Sequence, residues 1–197
     1  MTTVKTALKD YWHSKFSIEA EEKSSLKLLK YNFLPLGHGP HPILSSCGNS
    51  QSCIRAATVQ IQILSGRYRT DYFYSKFLEG STGECLLEGC GVYPGDVDHL
   101  LSGECAALRS HLDLNLERNL SELKLFHPDL FNIVQCVLNQ GGSAWTSFVV
   151  VPTPHQQIIQ YKQLFGADSI YPVMRLSRSY IWCMHRSRLR LKGLLIK

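Results

Sequence analysis

The stretch from Glu79 to Cys105 constrains the fold of this chain more than any other. Glycines stand at positions 80, 83, 89, 91, 95 and 103, and large apolar residues are few. Burial alone does not hold such a segment together, and small protein units in this situation use a metal. The same stretch carries Cys85, Cys90, His99 and Cys105, a Cys-x4-Cys pair followed after eight residues by His-x5-Cys. Zinc takes four soft or borderline ligands at tetrahedral angles, and two close pairs on a short connection wrap one ion at little loop-closure cost. Gly83, Gly89 and Gly91 flank the first pair, where tight turns have to aim both sulfurs at one point. Asp96 is placed to cap a turn beginning Val97-Asp98-His99, which presents the imidazole from the start of a short helix. Gaps of this length are looser than the commonest zinc patterns, so spacing alone also admits ordinary thiols beside a surface histidine. A site with four protein ligands keeps no position for an activated water, so a metal held here is expected to be structural.

Seven cysteines among 197 residues cannot all pair. The opening MTTVKTALKDYWHSKF has no apolar run after its charges, so reduced thiols are expected. A second tetrad, His38, His41, Cys47 and Cys53, lies among Pro, Gly and Ser and reads better as loop and core residues than as ligands. Cys136, between Val134 and Val137, and Cys183, beside Trp182, read as small apolar core residues. His13, His111, His127, His155 and His185 have no evident partners and read as surface or capping residues.

Around the glycine-rich stretch the pattern is helical. Leu8, Tyr11, Trp12 and Phe16, then Leu26, Leu29 and Phe33, recur at helical spacing over residues 4–33. Residues 35–51 are expected to form a long ordered loop. Over 52–64 the signals conflict: Val59, Ile61 and Ile63 alternate as in a strand, whereas Ile54, Ala57, Ile61 and Leu64 keep helical spacing, and helix is preferred. Thr70 is placed to cap a short helix through Phe73 and Phe77. Residues 113–136 and 143–151 read as helical or buried, with Phe148 to Val151 the one plausible strand. Thr153-Pro154 signals a helix start and Gly166 its end. A last helix runs from about Pro172 to Leu191. The expected fold is mainly α: helical N- and C-terminal portions (1–78 and 111–197) around a Cys-Cys-His-Cys knuckle at 79–110.

Charge is concentrated at one end. From Ser169 to Lys197 there are seven basic residues and no acid, whereas the remaining 14 basic and 16 acidic residues sum to −2. On a helical wheel Arg175, Arg178, Arg186 and Arg190 share an arc of about 120°. Ile170, Val173, Met174, Leu176, Tyr180, Ile181, Met184 and Leu191 lie opposite, and Arg188 alone intrudes among them. A solvated face on a docked helix accounts for such a stripe equally well. With no carboxylate in the segment, however, phosphate is the natural counter-charge and guanidinium forks suit it. Nucleotide-binding glycine motifs, the serine nucleophile elbow and HExxH are all missing, and no two aspartates are adjacent. Nowhere do about 18 apolar residues run together, so no membrane span is expected.

The run LSGRYRTDYF (Leu64 to Phe73), the Cys85/Cys90 pair and GDVDHLLSGECAAL (Gly95 to Leu108) together resemble the C-terminal region of non-LTR (LINE-type) retrotransposon reverse transcriptases of animals. SSLKLLKYNFLPLGHGPHPIL and the segment Tyr180 to Arg190 are similar to other parts of that region. The resemblance implies a thumb-like portion at 1–78, structural zinc on Cys85, Cys90, His99 and Cys105, and an RNA or DNA partner held through its phosphates without sequence reading. It also implies residence inside the cell, in the nucleus. Ala106 stands where the family usually has proline. The polymerase palm, with the carboxylates that bind two catalytic metals, has no counterpart here, so the chain is expected to be a non-catalytic fragment of an RNA-directed DNA polymerase. Arg67, Arg69, Arg175, Arg178, Arg186 and Arg190 are the expected phosphate contacts. The alternatives are a zinc-stabilised protein-interaction module whose arginine face meets an acidic partner, or a decayed retroelement copy without function.

Overall fold

The computed structural model of the chain describes residues 2–22 and 42–194, and among these every regular element is a helix. They are α1 (Thr2–Glu22), α2 (Pro42–Ser45), α3 (Gln51–Leu64), α4 (Asp71–Ser75), α5 (Val97–Leu101), α6 (Ala106–Phe126), α7 (Pro128–Gln140), α8 (Gly142–Val150), α9 (Gln156–Phe165), a short 3-10 turn (Ala167–Ile170) and α10 (Tyr171–Leu191). The mainly α expectation is therefore met, and the glycine-rich loop lies between α4 and α6. α10 packs against α6, α3 and α8, and one buried apolar cluster runs from Ile43 through Leu101, Leu112 and Trp145 to Met184.

Local chemistry explains most boundaries. The Ser50 hydroxyl accepts from the Cys53 N–H and starts α3, whose buried Ala56, Val59, Gln60 and Ile63 share one helical face and resolve the ambiguity over 52–64. The Thr70 hydroxyl does the same for α4, accepting from Phe73 at 3.0 Å. Gly166, at φ +90°, ends α9 where a residue with a side chain would be strained. In the helical hairpin or bent helix expected over 4–33, α1 forms, but its Leu8, Tyr11 and Trp12 are exposed; residues 23–41, with His38 and His41, lie outside the described residues. Within the expected loop, Pro42–Ser45 turns helical.

Three expectations are corrected. Phe148 to Val151 is no strand: Phe148, Val149 and Val150, all buried, close α8, and an apolar run buried all round carries no period to separate helix from strand. Cys136 is exposed, because α7 buries Leu130, Val134 and Val137 and position 136 falls off that stripe. Thr153-Pro154 forms a turn and α9 begins one residue after His155, which supplies no side-chain cap.

Polar side chains on the buried side of α10 close the open ends of the short helices. Arg178, 5% exposed, donates to the carbonyls of Ile43 and Ser46 at the end of α2. The Ser177 hydroxyl donates to the Val149 carbonyl and Gln60 of α3 to the Val150 carbonyl, both at the end of α8. The Tyr180 hydroxyl donates to the Leu101 carbonyl, the last of α5. Arg188, the intruder on the apolar side, donates to the Arg69 carbonyl at 2.9 Å and pairs with buried Asp71 at 3.4 Å. Asp71 also takes the Lys192 ammonium and, on its other oxygen, the Leu86 N–H at 3.1 Å.

Burial alone would raise the Asp71 carboxyl, but Lys192, the Leu86 N–H and Arg188 outweigh it and hold the group below its usual value. A depressed folded value makes this stabilisation complete above the unfolded carboxyl's value of about 3.9 and removes it as pH falls through the folded value. Asp71→Asn is expected to cost about 3 kcal/mol at neutral pH by stranding the buried Arg188 guanidinium and the half-buried Lys192 ammonium. In denaturant titrations the gap between wild type and variant should begin to narrow as pH falls below about 4 and close only below the folded value.

Candidate metal centre and basic surface

The loop after α4 folds back on itself through its backbone. The Cys85 N–H donates to the Val92 carbonyl, the Gly91 N–H to the Cys85 carbonyl and the Cys90 N–H to the Leu87 carbonyl. Gly89 and Gly91, at φ +74° and +64°, make the turns that bring the two cysteines round. Gly95 is needed for space rather than for backbone angle. A Cβ there would lie 2.6 Å from the Cys85 nitrogen, so only glycine lets the returning strand of the loop pass behind that cysteine. Beyond it the Asp96 carboxylate accepts from the His99 N–H at 3.0 Å, the expected cap of α5.

These turns bring together all four residues singled out by spacing. Cys85 Sγ lies 3.9 Å from Cys105 Sγ, Cys90 Sγ lies 3.1 Å from His99 Nε2, and the four donor atoms fall within 4.8 Å of one another. Tetrahedral zinc with its usual bond lengths would separate two sulfurs by about 3.8 Å and a sulfur from a nitrogen by about 3.6 Å. The donor set fits one metal ion with adjustments of up to about an ångström. The three thiols are free, and three of the four ligands are buried. Among the described residues this is the group of donors able to hold a metal; Cys47 and Cys53 do not join it.

The surroundings suit thiolates. Peptide N–H groups point at each sulfur, from Leu87 to Cys85, from Val92 and Ala106 to Cys90, and from Leu108 to Cys105. Cys105 is the residue before the first turn of α6, so the positive end of a 21-residue helix faces the cluster. Burial, followed by the neighbouring Cys85, pushes the Cys105 thiol up to about 12, and burial raises Cys85. At Cys90 burial is outweighed by the Val92 N–H and the adjoining thiols, and the net effect is downward. Burial lowers His99, leaving a neutral imidazole that can donate a lone pair. A metal cation would supply the positive charge that three crowded sulfurs otherwise lack.

The arginines are divided among different roles. Arg67 and Arg69 are exposed on one wall of an open groove of about 960 Å³ between the end of α3, residues 65–69 and the last turns of α10. Arg186 and Arg190 are exposed on a neighbouring face, where Arg118 of α6 joins them around Cys183. None of these five has an ion-pair partner among the described residues. Arg175, by contrast, meets Glu122 of α6, so the absence of acids within the segment did not leave it uncompensated. Arg178 is buried and committed to the end of α2, which removes it from the expected phosphate contacts. Asp71, Lys192 and Gln60 were not singled out in the sequence. Their one signal is polarity inside otherwise helical apolar patterns, and that does not say which partner each will meet.

Plasma mass spectrometry of the purified chain is expected to find about one metal ion per molecule. Cys85→Ser/His99→Ala should lose it together with cooperative unfolding. Gly95→Ala, which leaves every donor in place, should lower metal affinity by at least about tenfold, read by competition with a chromogenic chelator. No helix among the described residues is long and apolar enough to cross a membrane. Searches of this chain against protein-family models, curated proteins and solved structures find no match.

Proposed function

We propose that this chain is a zinc-stabilised nucleic-acid-binding unit, corresponding to the non-catalytic C-terminal part of a LINE-type reverse transcriptase. The observation that carries the reading is the set of exposed guanidiniums without acidic partners, Arg67, Arg69, Arg118, Arg186 and Arg190, mounted on elements that the metal loop and α10 tie together. Zinc is the metal favoured by three thiols and one imidazole gathered in one cluster, and with four protein ligands it acts on the fold alone. Structural zinc in small units contributes on the order of 10 kcal/mol to folding, comparable with the whole stability of a domain. The resemblance of Leu64–Phe73 and Gly95–Leu108 to the retroelement region supports the same partner class. The geometry gives its signature residues work: Tyr68 lies under the Arg188 guanidinium at 5.6 Å, and Asp71 joins the loop to α10.

Guanidiniums on phosphates release counterions, so affinity should fall steeply with salt. In anisotropy titrations the logarithm of the association constant is expected to fall linearly with the logarithm of salt concentration. Arg186→Ala/Arg190→Ala should reduce the slope by about 2 with metal content unchanged. Equally weak binding at low and high salt would overturn the proposal.

A further inference from the structure

The groove bearing Arg67 and Arg69 continues into a row of aromatic rings. Tyr74, on its wall, lies 6.0 Å between ring centroids from Phe73, and Phe73 lies 5.2 Å from Phe77. Tyr74 and Phe73 are half-buried, while Phe77 is 71% exposed. Four cations line the groove, Arg67, Arg69, Arg188 and Lys192, and no carboxylate does; the nearest acid, Asp71, is buried behind the wall and engaged by Arg188 and Lys192. An aromatic face of this size left in water is unfavourable unless something covers it.

We infer that this groove is a path for single-stranded nucleic acid, with phosphates on Arg67 and Arg69 and bases stacked on Tyr74, Phe73 and Phe77. The inference rests on the nucleic-acid reading above and narrows it. A duplex keeps its base faces inside its own stack and presents only charge, which would use the arginines and leave the rings bare. A single strand carries both features at once, a phosphate and a free π-face per nucleotide, and so matches cations and rings side by side. An acidic peptide would match the cations alone.

The test uses the whole chain in its metal-bound form with fluorescein-labelled oligo(dT) and oligo(U) of about 12 nucleotides and a duplex of similar charge. Tyr74→Leu/Phe77→Leu should weaken single-strand binding at least about tenfold, with duplex binding, salt slope and metal content unchanged. Tyr74→Trp/Phe77→Trp keeps the π-faces and should bind at least as tightly as wild type, which separates stacking from any effect on folding. Arg67→Ala/Arg69→Ala should reduce the salt slope by about 2. Equal affinity for oligo(dT) and oligo(U) fits stacking alone, and a preference for oligo(U) adds contacts to the ribose hydroxyl; either supports the path. Equal binding of single strand and duplex, with no effect of the leucine variant and loss in Arg186→Ala/Arg190→Ala, would overturn the path while leaving the broader reading standing. Competition by polyglutamate as strong as by oligo(dT) would assign the groove to an acidic chain and overturn the path. Absence of binding to every oligonucleotide would overturn both.

Discussion

A buried helix end is expensive, because its last carbonyls have no partner within the helix and none in an apolar core. This chain folds as several short helices around one core, and so has many such ends to satisfy. α10 meets most of them from a single face: Arg178 for α2, Ser177 for α8, Tyr180 for α5 and Arg188 for the residues entering α4. Gln60 of α3 completes the set at α8. The core packs apolar residues from almost every helix, but the polar residues of α10 decide how those helices can be oriented. A shift of α10 by one residue would strand several carbonyls together.

The metal loop obeys a different rule. It has little apolar surface, and its conformation comes from backbone hydrogen bonds, glycines at positive φ and the close approach that only Gly95 permits. Those devices place four donors at coordinating distance, while burial disfavours the thiolate at Cys85 and Cys105. The N–H groups around the sulfurs and the start of α6 offset part of that cost, and a bound cation would offset the rest.

Features set by local chemistry were legible in the sequence. The Cys85, Cys90, His99, Cys105 spacing, the Thr70 and Asp96 caps and the Gly166 stop depend on neighbours within a few residues, and each took the expected form. Features set by distant partners were not. The wheel placed Arg175 and Arg178 beside Arg186 and Arg190, but Glu122 of α6 and the end of α2 claimed the first two. Phe148 to Val151 has the composition of a strand and the surroundings of a core helix, and only the packing of α8 decides between them. The neutral-looking run Tyr72-Phe73-Tyr74 gained meaning only when the fold set it beside Arg67 and Arg69.

One side chain stands between the two halves of this architecture. Asp71 holds the Leu86 N–H of the metal loop on one oxygen and Arg188 and Lys192 of the groove wall on the other. A shift on either side is therefore felt on the other, and thermodynamic linkage makes the effect mutual. An ion in the loop and a polyanion in the groove would each sense the other without touching, with a single carboxylate as the relay.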